Sequence, residues 1–412
     1  MTERAIARKL RLFYVFRLLA TSYLYVPIFM LFQASRGLTF SESLVLGGIF
    51  SAVVIAVEVP TGVFADRIGR RRAMMLGALS MVASCLIAAR AHSFPAFAVA
   101  EALGALSIAL CSGADSAYLF DFLHEHDRAH EYGRRESTAS AWHLMGSAVA
   151  FAGGGLLAQI DLALPYLVTA GVASIAAIVA CLLHDDRPAI VGRLPVSIVM
   201  RSWGGQITDA LGEVARNPRL AWIVGYSAVV FVLLRATVYL YQPYLEERGL
   251  GAVSIGLLFA GGYVIASIVA HRTYRLRRRF GDDVLLWSLL AVLAISFVGL
   301  AGAARGPWML ALLVVQAVAN GIYSPLTKPM LNAEITDSRQ RAAVLSVDSM
   351  ARRAAMGVFA PLAALYGEAD VMLLCGGVGV GGLVVLAFAR LRVRRTDIPV
   401  SVHQVESSSG SR

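Results

Sequence analysis

The chain has 412 residues, 58% of them hydrophobic and only 16% charged, with a mean hydropathy of +0.67. Soluble domains run at about 45–50% apolar and about 25% charged. These figures therefore exclude a set of ordinary soluble domains, a disordered chain, a collagen and a disulfide-knotted secreted module. The net charge of +10 raises the question of nucleic acid, and the placement of the arginines answers it otherwise.

A membrane-crossing helix needs about 20 mostly apolar residues. Twelve stretches qualify in chain order: 12–35, 42–65, 73–90, 94–119, 137–160, 163–184, 219–245, 251–271, 284–304, 307–331, 343–366 and 370–390. Several contain proline (Pro27, Pro60, Pro165, Pro243, Pro325, Pro361), which buried membrane helices tolerate. None shows the two-residue alternation of a barrel strand. The expected fold is an all-α membrane protein of twelve transmembrane helices, and the first span is expected to persist rather than be cleaved as a signal peptide.

With both termini in the cytoplasm, 29 of the 37 lysines and arginines fall on the cytoplasmic side, and only Arg36, Arg90, Arg248 and Arg305 fall outside. That asymmetry sets the orientation and explains the basic charge without a nucleic-acid partner. Arginine outnumbers lysine overwhelmingly, since Lys9 and Lys328 are the only lysines; this points to a GC-rich bacterial genome and so to the bacterial inner membrane.

The long polar segment 185–218 divides the spans into six and six, giving an N-terminal half at 1–184 and a C-terminal half at 219–391, with a tail at 392–412. Within the divider, Val199–Val214 has the pattern of an amphipathic helix on the membrane surface. The polar tail is expected to be disordered. The halves echo each other: Arg17, Tyr23-Leu-Tyr-Val-Pro27 and Arg36-Gly-Leu38 reappear as Arg235, Tyr239-Leu-Tyr-Gln-Pro243 and Arg248-Gly-Leu250. Such duplication marks carriers that rock around a midplane site.

The second span ends in Gly62-Val-Phe-Ala-Asp66-Arg67-Ile-Gly69-Arg70-Arg71. Gly62 would permit close helix approach, Gly69 a tight turn, and Asp66 with Arg70 charge-assisted bonds that form in one conformation. This run resembles the loop 2–3 signature of the major facilitator superfamily, G-x-x-x-D-[RK]-x-G-[RK]-[RK], and the resemblance extends to about residue 391. It implies two pseudo-symmetric six-helix halves around a cavity, and a secondary transporter of a small molecule in the lipid bilayer. It also implies a latch made by Gly62, Asp66, Arg67, Gly69, Arg70 and Arg71, with Asp121 as the partner of Arg70.

Departures matter too. Where drug/proton antiporters of the superfamily carry an arginine in helix four, this chain reads Glu101-Ala-Leu-Gly104. Their helix-five motif survives here only in its outer glycines, as Gly146-Ser-Ala-Val-Ala150-Phe151-Ala-Gly153-Gly154-Gly155. Ser112-Gly-Ala-Asp115 and Arg341-Ala-Ala-Val-Leu-Ser346 resemble a less characterised bacterial branch, for which export is the default.

Ionisable groups inside spans cost at least about 2.5–3.5 kcal/mol and are functional candidates for that reason. In a continuous helix four, Glu101 and Asp115 would share one face about 21 Å apart. Asp115 is expected to pair with Arg17, either as a structural ion pair or as part of a substrate or proton site. Glu101, without an evident partner, is the first candidate for a proton carrier, and Glu58 the second. Arg235, Tyr239 and Gln242 share a face of helix seven; Gln316, Asn320 and Tyr323 share one of helix ten. Arg17 and Arg235 either grip an anionic substrate or neutralise cavity carboxylates.

The cysteines Cys85, Cys111, Cys181 and Cys375 lie in apolar runs without metal spacing. No phosphate loop or hydrolase motif occurs, so neither an enzyme nor a cofactor is expected. The expectation is therefore a monomeric, proton-coupled exporter. Uptake or flipping of an anionic solute is the alternative within transport, and a transport-inactive sensor or scaffold the alternative outside it.

Overall fold

The computed structural model describes residues 2–183, 196–302, 306–335 and 341–396; the side chain of Asp66, the 185–195 stretch of the divider and the tail beyond 396 lie outside the described residues. Among those described, the chain is helical with no strand. The first span is α1 (Glu3–Ala20) followed, after a non-helical turn, by α2 (Phe29–Ser35). The second and third are α3 (Phe40–Ile68) and α4 (Arg70–Arg90). The fourth is α5 (Phe94–Cys111) with α6 (Ala114–Glu125), and α7 (Tyr132–Ala158) and α8 (Leu164–Leu182) complete the first half. After the surface helix α9 (Val196–Arg216) come α10 (Pro218–Glu246), α11 (Ala252–Phe280), α12 (Asp282–Ala301), α13 (Pro307–Glu334), α14 (Arg341–Ala363) and α15 (Glu368–Thr396).

Local chemistry sets the ends of these helices. Thr39 and Glu42 form a reciprocal capping box at the start of α3, in which Thr39 N donates to Glu42 Oε2 at 2.8 Å and Thr39 Oγ1 accepts from Glu42 N at 3.2 Å. Asn217 Oδ1 accepts from the amides of Arg219 and Leu220 at the start of α10. Proline occupies the first turn of α5, α8, α10 and α13, where its missing donor costs nothing. Gly69 and Gly281 make corresponding turns in the two halves, with φ of +93° and +79°.

Among the described residues, ten helical segments are long and apolar enough to cross a membrane. Two expected spans fall short of that standard for stated reasons. The first is interrupted between Ala20 and Phe29, and α14 carries Asp348, Arg352 and Arg353. Both nonetheless lie inside the bundle: α1 packs on α7 and α8, and α14 on α3 and α10.

Two expectations need correction. Helix four is not continuous, because the chain turns at Ser112 and Gly113, whose φ is +79°. The shared-face argument for Glu101 and Asp115 therefore does not hold. Nor do the two Tyr-Leu-Tyr-x-Pro repeats fold alike: the first interrupts its span, whereas α10 runs through Pro243.

The halves meet along α3 with α14 and α7 with α11. At the end of the bundle away from the termini they close tightly. Gly155 of α7 and Gly256 of α11 face each other so closely that a Cβ on Gly155 would lie 2.6 Å from the Ala252 carbonyl oxygen. Ser41 Oγ donates to the Ala364 carbonyl at 2.6 Å. Gln242, fully buried, donates to the Val26 carbonyl at 3.0 Å and accepts from the Met30 amide at 2.8 Å. It thereby satisfies backbone groups left unpaired where the first span breaks.

Candidate functional site

A cavity of about 410 Å³ opens between α10, α11, α13 and α14, within the usual size range of a small-molecule site. Its polar lining comprises Arg235, Thr237 and Tyr241 from α10, Tyr263 from α11, Gln316, Asn320 and Tyr323 from α13, and Arg352 from α14. Helix periodicity explains the α13 contribution, since Gln316, Asn320 and Tyr323 recur at offsets of four and three. Gln316 is buried, donating to Ser296 Oγ at 2.7 Å and accepting from the Tyr241 hydroxyl. Asn320 is exposed to the hollow. The Tyr323 hydroxyl bonds Ser227 Oγ at 2.7 Å.

The charges are distributed unevenly. Arg352 pairs with Asp348 at 3.0 Å. Arg353 stands 4.0 Å from Glu58, an ion pair spanning the two halves. Arg235 has no carboxylate at ion-pair distance among the described residues; its guanidinium lies 5.6 Å from the Tyr239 ring centroid. Glu101 lies across from it on α5, within electrostatic reach of Arg235 and of Tyr25, Tyr166 and Tyr239. Among the described residues Glu101 makes no hydrogen bond or ion pair.

Towards the termini a second polar centre forms in the first half. Arg17 pairs directly with Asp115 and stands 3.9 Å from Glu136 of α7, which accepts from Ser116 Oγ at 3.0 Å. In the loop motif, Arg70 Nε meets Asp121 Oδ2 at 2.9 Å, and Arg71 donates to the Cys181 carbonyl at 3.2 Å. Arg67 closes α3, and Gly69 makes the turn. Gly62 differs from expectation: a Cβ there would meet nothing within 4 Å, so no neighbour approaches it in this conformation.

Of the residues singled out from sequence, Arg235, Gln316, Asn320 and Tyr323 share the cavity. Tyr239 and Gln242 do not line it. Tyr239 packs edge-on against Phe29, 5.2 Å between centroids, and over Gly47, while Gln242 serves the closure. Arg17 and Asp115 pair with each other at the second centre, away from the cavity. Sequence reasoning passed over Asp348, Glu136, Tyr241 and Tyr263. Asp348 and Glu136 carried a readable signal, being carboxylates within expected spans or at their ends; the tyrosines carried none.

The sequence profile of the Major Facilitator Superfamily matches residues 12–361. The quinolone resistance protein NorA of Staphylococcus aureus (strain MRSA252) is 19% identical over 273 residues, covering 65% of this chain and 66% of the relative. This chain thus spans slightly under two thirds of that relative's length. The class C tetracycline resistance protein of Escherichia coli is 25% identical over 306 residues, covering 68% of each. Among solved structures, the nucleoside transporter NupG superposes with a TM-score of 0.75 at 13% identity, covering 93% of this chain and 99% of that one. The peptide transporter POT in complex with sulfate gives 0.74 at 16%, covering 94% and 95%. These likenesses establish the fold, two six-helix halves in a multi-pass membrane protein. By sequence profile and fold together, the chain belongs to the Major Facilitator Superfamily, a family of membrane transporters rather than of enzymes.

Proposed function

We propose that the chain is a proton-coupled exporter of a small molecule, working by alternating access in the bacterial inner membrane with both termini in the cytoplasm. The observation that carries this reading is a partly apolar cavity whose Arg235 lies within electrostatic reach of Glu101, a carboxylate in an apolar helix with no bonded partner among the described residues. With the end away from the termini closed, cargo would enter this conformation from the terminal side. Gly155, Gly256, Ser41 and Gln242 would part in the alternate state, as the halves 1–184 and 219–391 rock against each other. Arg235 reaches Glu101 across the halves, so protonating the carboxylate would free the guanidinium's charge for cargo, and releasing the proton would restore the compensation. Arg17 and Asp115 serve as a structural pair at the terminal end. Arg70 and Asp121, with Asp66, Arg67, Gly69, Arg71 and Gly62, act as the conformational latch. Two relatives are named as resistance proteins, one for quinolone and one for tetracycline, and removal of a small molecule from the cell is one way to produce resistance. The carrier acts as a monomer, without cofactor.

A second reading, uptake or flipping of an anionic solute, is favoured by the two arginines in the cavity wall. Purified protein in liposomes under an imposed pH gradient decides between them. Substrate-driven proton flux opposite in direction to the substrate supports export. Flux of both in the same direction favours uptake, and the absence of either flux across a panel of anionic and cationic amphiphiles would refute the carrier.

A further inference from the structure

The cavity reaches the perimeter of the bundle between α11 and α13. These helices touch at Gly321, where an added Cβ would lie 2.5 Å from the Ala266 carbonyl oxygen. One turn further along each, about 6 Å, Gly262 would meet only the Ala317 Cβ, at 3.8 Å, and Gly261 would meet nothing within 4 Å. The pair therefore splays towards the end away from the termini, and the cavity fills the wedge.

Leu257, Leu310 and Val314 line this wedge while being 54%, 43% and 44% exposed. Their exposure is not to an axial vestibule. At that same end the halves are sealed through Gly155 against Gly256 and through Gln242. What remains for these side chains to face is hydrocarbon. These leucines and valine are exposed parts of the lining, whereas Phe259, Tyr263, Arg235 and Arg352 line it buried or half-buried. A hydrated solute would have to shed its water at such a mouth, whereas a molecule already dissolved in lipid would not.

We propose that the wedge between α11 and α13 is a side entrance from the bilayer. Its ligand carries an anionic head seated on Arg235 and an apolar tail lying between the two helices. Arg235 rather than Arg352 is the seat because Arg352 is already paired with Asp348. The proposal rests on the reading of this cavity as the cargo site. The shared chemistry has two sources, a resident anionic phospholipid or a lipophilic carboxylic acid dissolved in the membrane.

The test uses the full chain in nanodiscs of neutral phosphatidylcholine. The probes carry a diazirine in the acyl chain, one a long-chain fatty acid and the other a phosphatidylglycerol, and adducts are mapped by mass spectrometry. Adducts are expected to concentrate at 257–263 and 310–317. Arg235→Gln should weaken labelling there roughly ten- to hundred-fold, the worth of a charge-assisted hydrogen bond. Gly261→Trp fills open space at the mouth without touching the charges, so it keeps the test valid if Arg235→Gln fails to fold. It should lower labelling comparably. Which probe labels names the source, and either supports the entrance. Adducts spread evenly round the perimeter, or unaffected by both substitutions, overturn it. Labelling is read at equilibrium, without a gradient. Localised adducts in a protein that moves nothing would defeat the carrier reading alone, and transport with scattered adducts would defeat the entrance alone.

Discussion

Glu101 and Arg17 show how the same rule about membrane charges leads to different roles. Arg17 meets Asp115 directly, and removing either partner would strand the other at a cost of about 3–5 kcal/mol. That cost fits the structural role proposed for the pair. Glu101 instead faces Arg235 without bonding it, so replacing its carboxylate by an amide strands no bonded partner. Glu101→Gln is therefore expected to insert and fold normally but to lose the response of transport to an imposed pH gradient. Transport assays at several gradients check this, and an unchanged response would remove Glu101 as the proton site. Both residues were legible in the sequence because an ionisable side chain in an apolar run stands out. Gln242 was legible as polar but not as a clasp, since its partners Val26 and Met30 are more than 200 positions away.

At the scale of helices, periodicity located the spans and composition located their ends. The breaks were harder to read. The first span and α10 carry the same Tyr-Leu-Tyr-x-Pro words, yet only the first opens. Gln242 of α10 supplies the hydrogen bonds that the opened backbone of the other half lacks, so the difference is settled between the halves rather than within either. The glycines of α7 are the mechanical counterpart. Gly155 lets backbone meet backbone at α11. Gly155→Val is expected to block this closure, because its Cβ would fall 2.6 Å from the Ala252 carbonyl oxygen. Cysteines at Ser41 and Ala364, 2.6 Å apart across the closed seam as hydroxyl and carbonyl, should cross-link readily in the parent and poorly in the Gly155→Val protein. Equal cross-linking in both would show that the seam does not depend on this contact.

For the molecule as a whole, the question is what balances one conformation against the other. The far end is held by buried backbone contacts, whereas the terminal end carries surface pairs such as Arg70 with Asp121, whose side chains are 25% and 48% exposed. Exposed pairs contribute at most about 1 kcal/mol, which is little for folding but enough to bias two states of similar energy. Asp66→Asn and Asp121→Asn are accordingly expected to leave membrane insertion and thermal stability nearly unchanged while abolishing most transport. Surface expression, melting temperature and uptake into inverted vesicles measure the three separately. Full transport in both variants would mean that the motif is not a latch.

The sequence by itself determined the solvent of this protein, its spans, its duplication and its superfamily. Each of these follows from local composition and from the fixed thickness of a bilayer. It also marked most of the charges that matter, because burying a charge is costly wherever it occurs. Only the tertiary structure decided which charges meet, where the helices break, and that the cavity is lined by the second half, from α10, α11, α13 and α14. Those outcomes depend on distances between residues far apart in the chain, and no periodicity within a single helix encodes them.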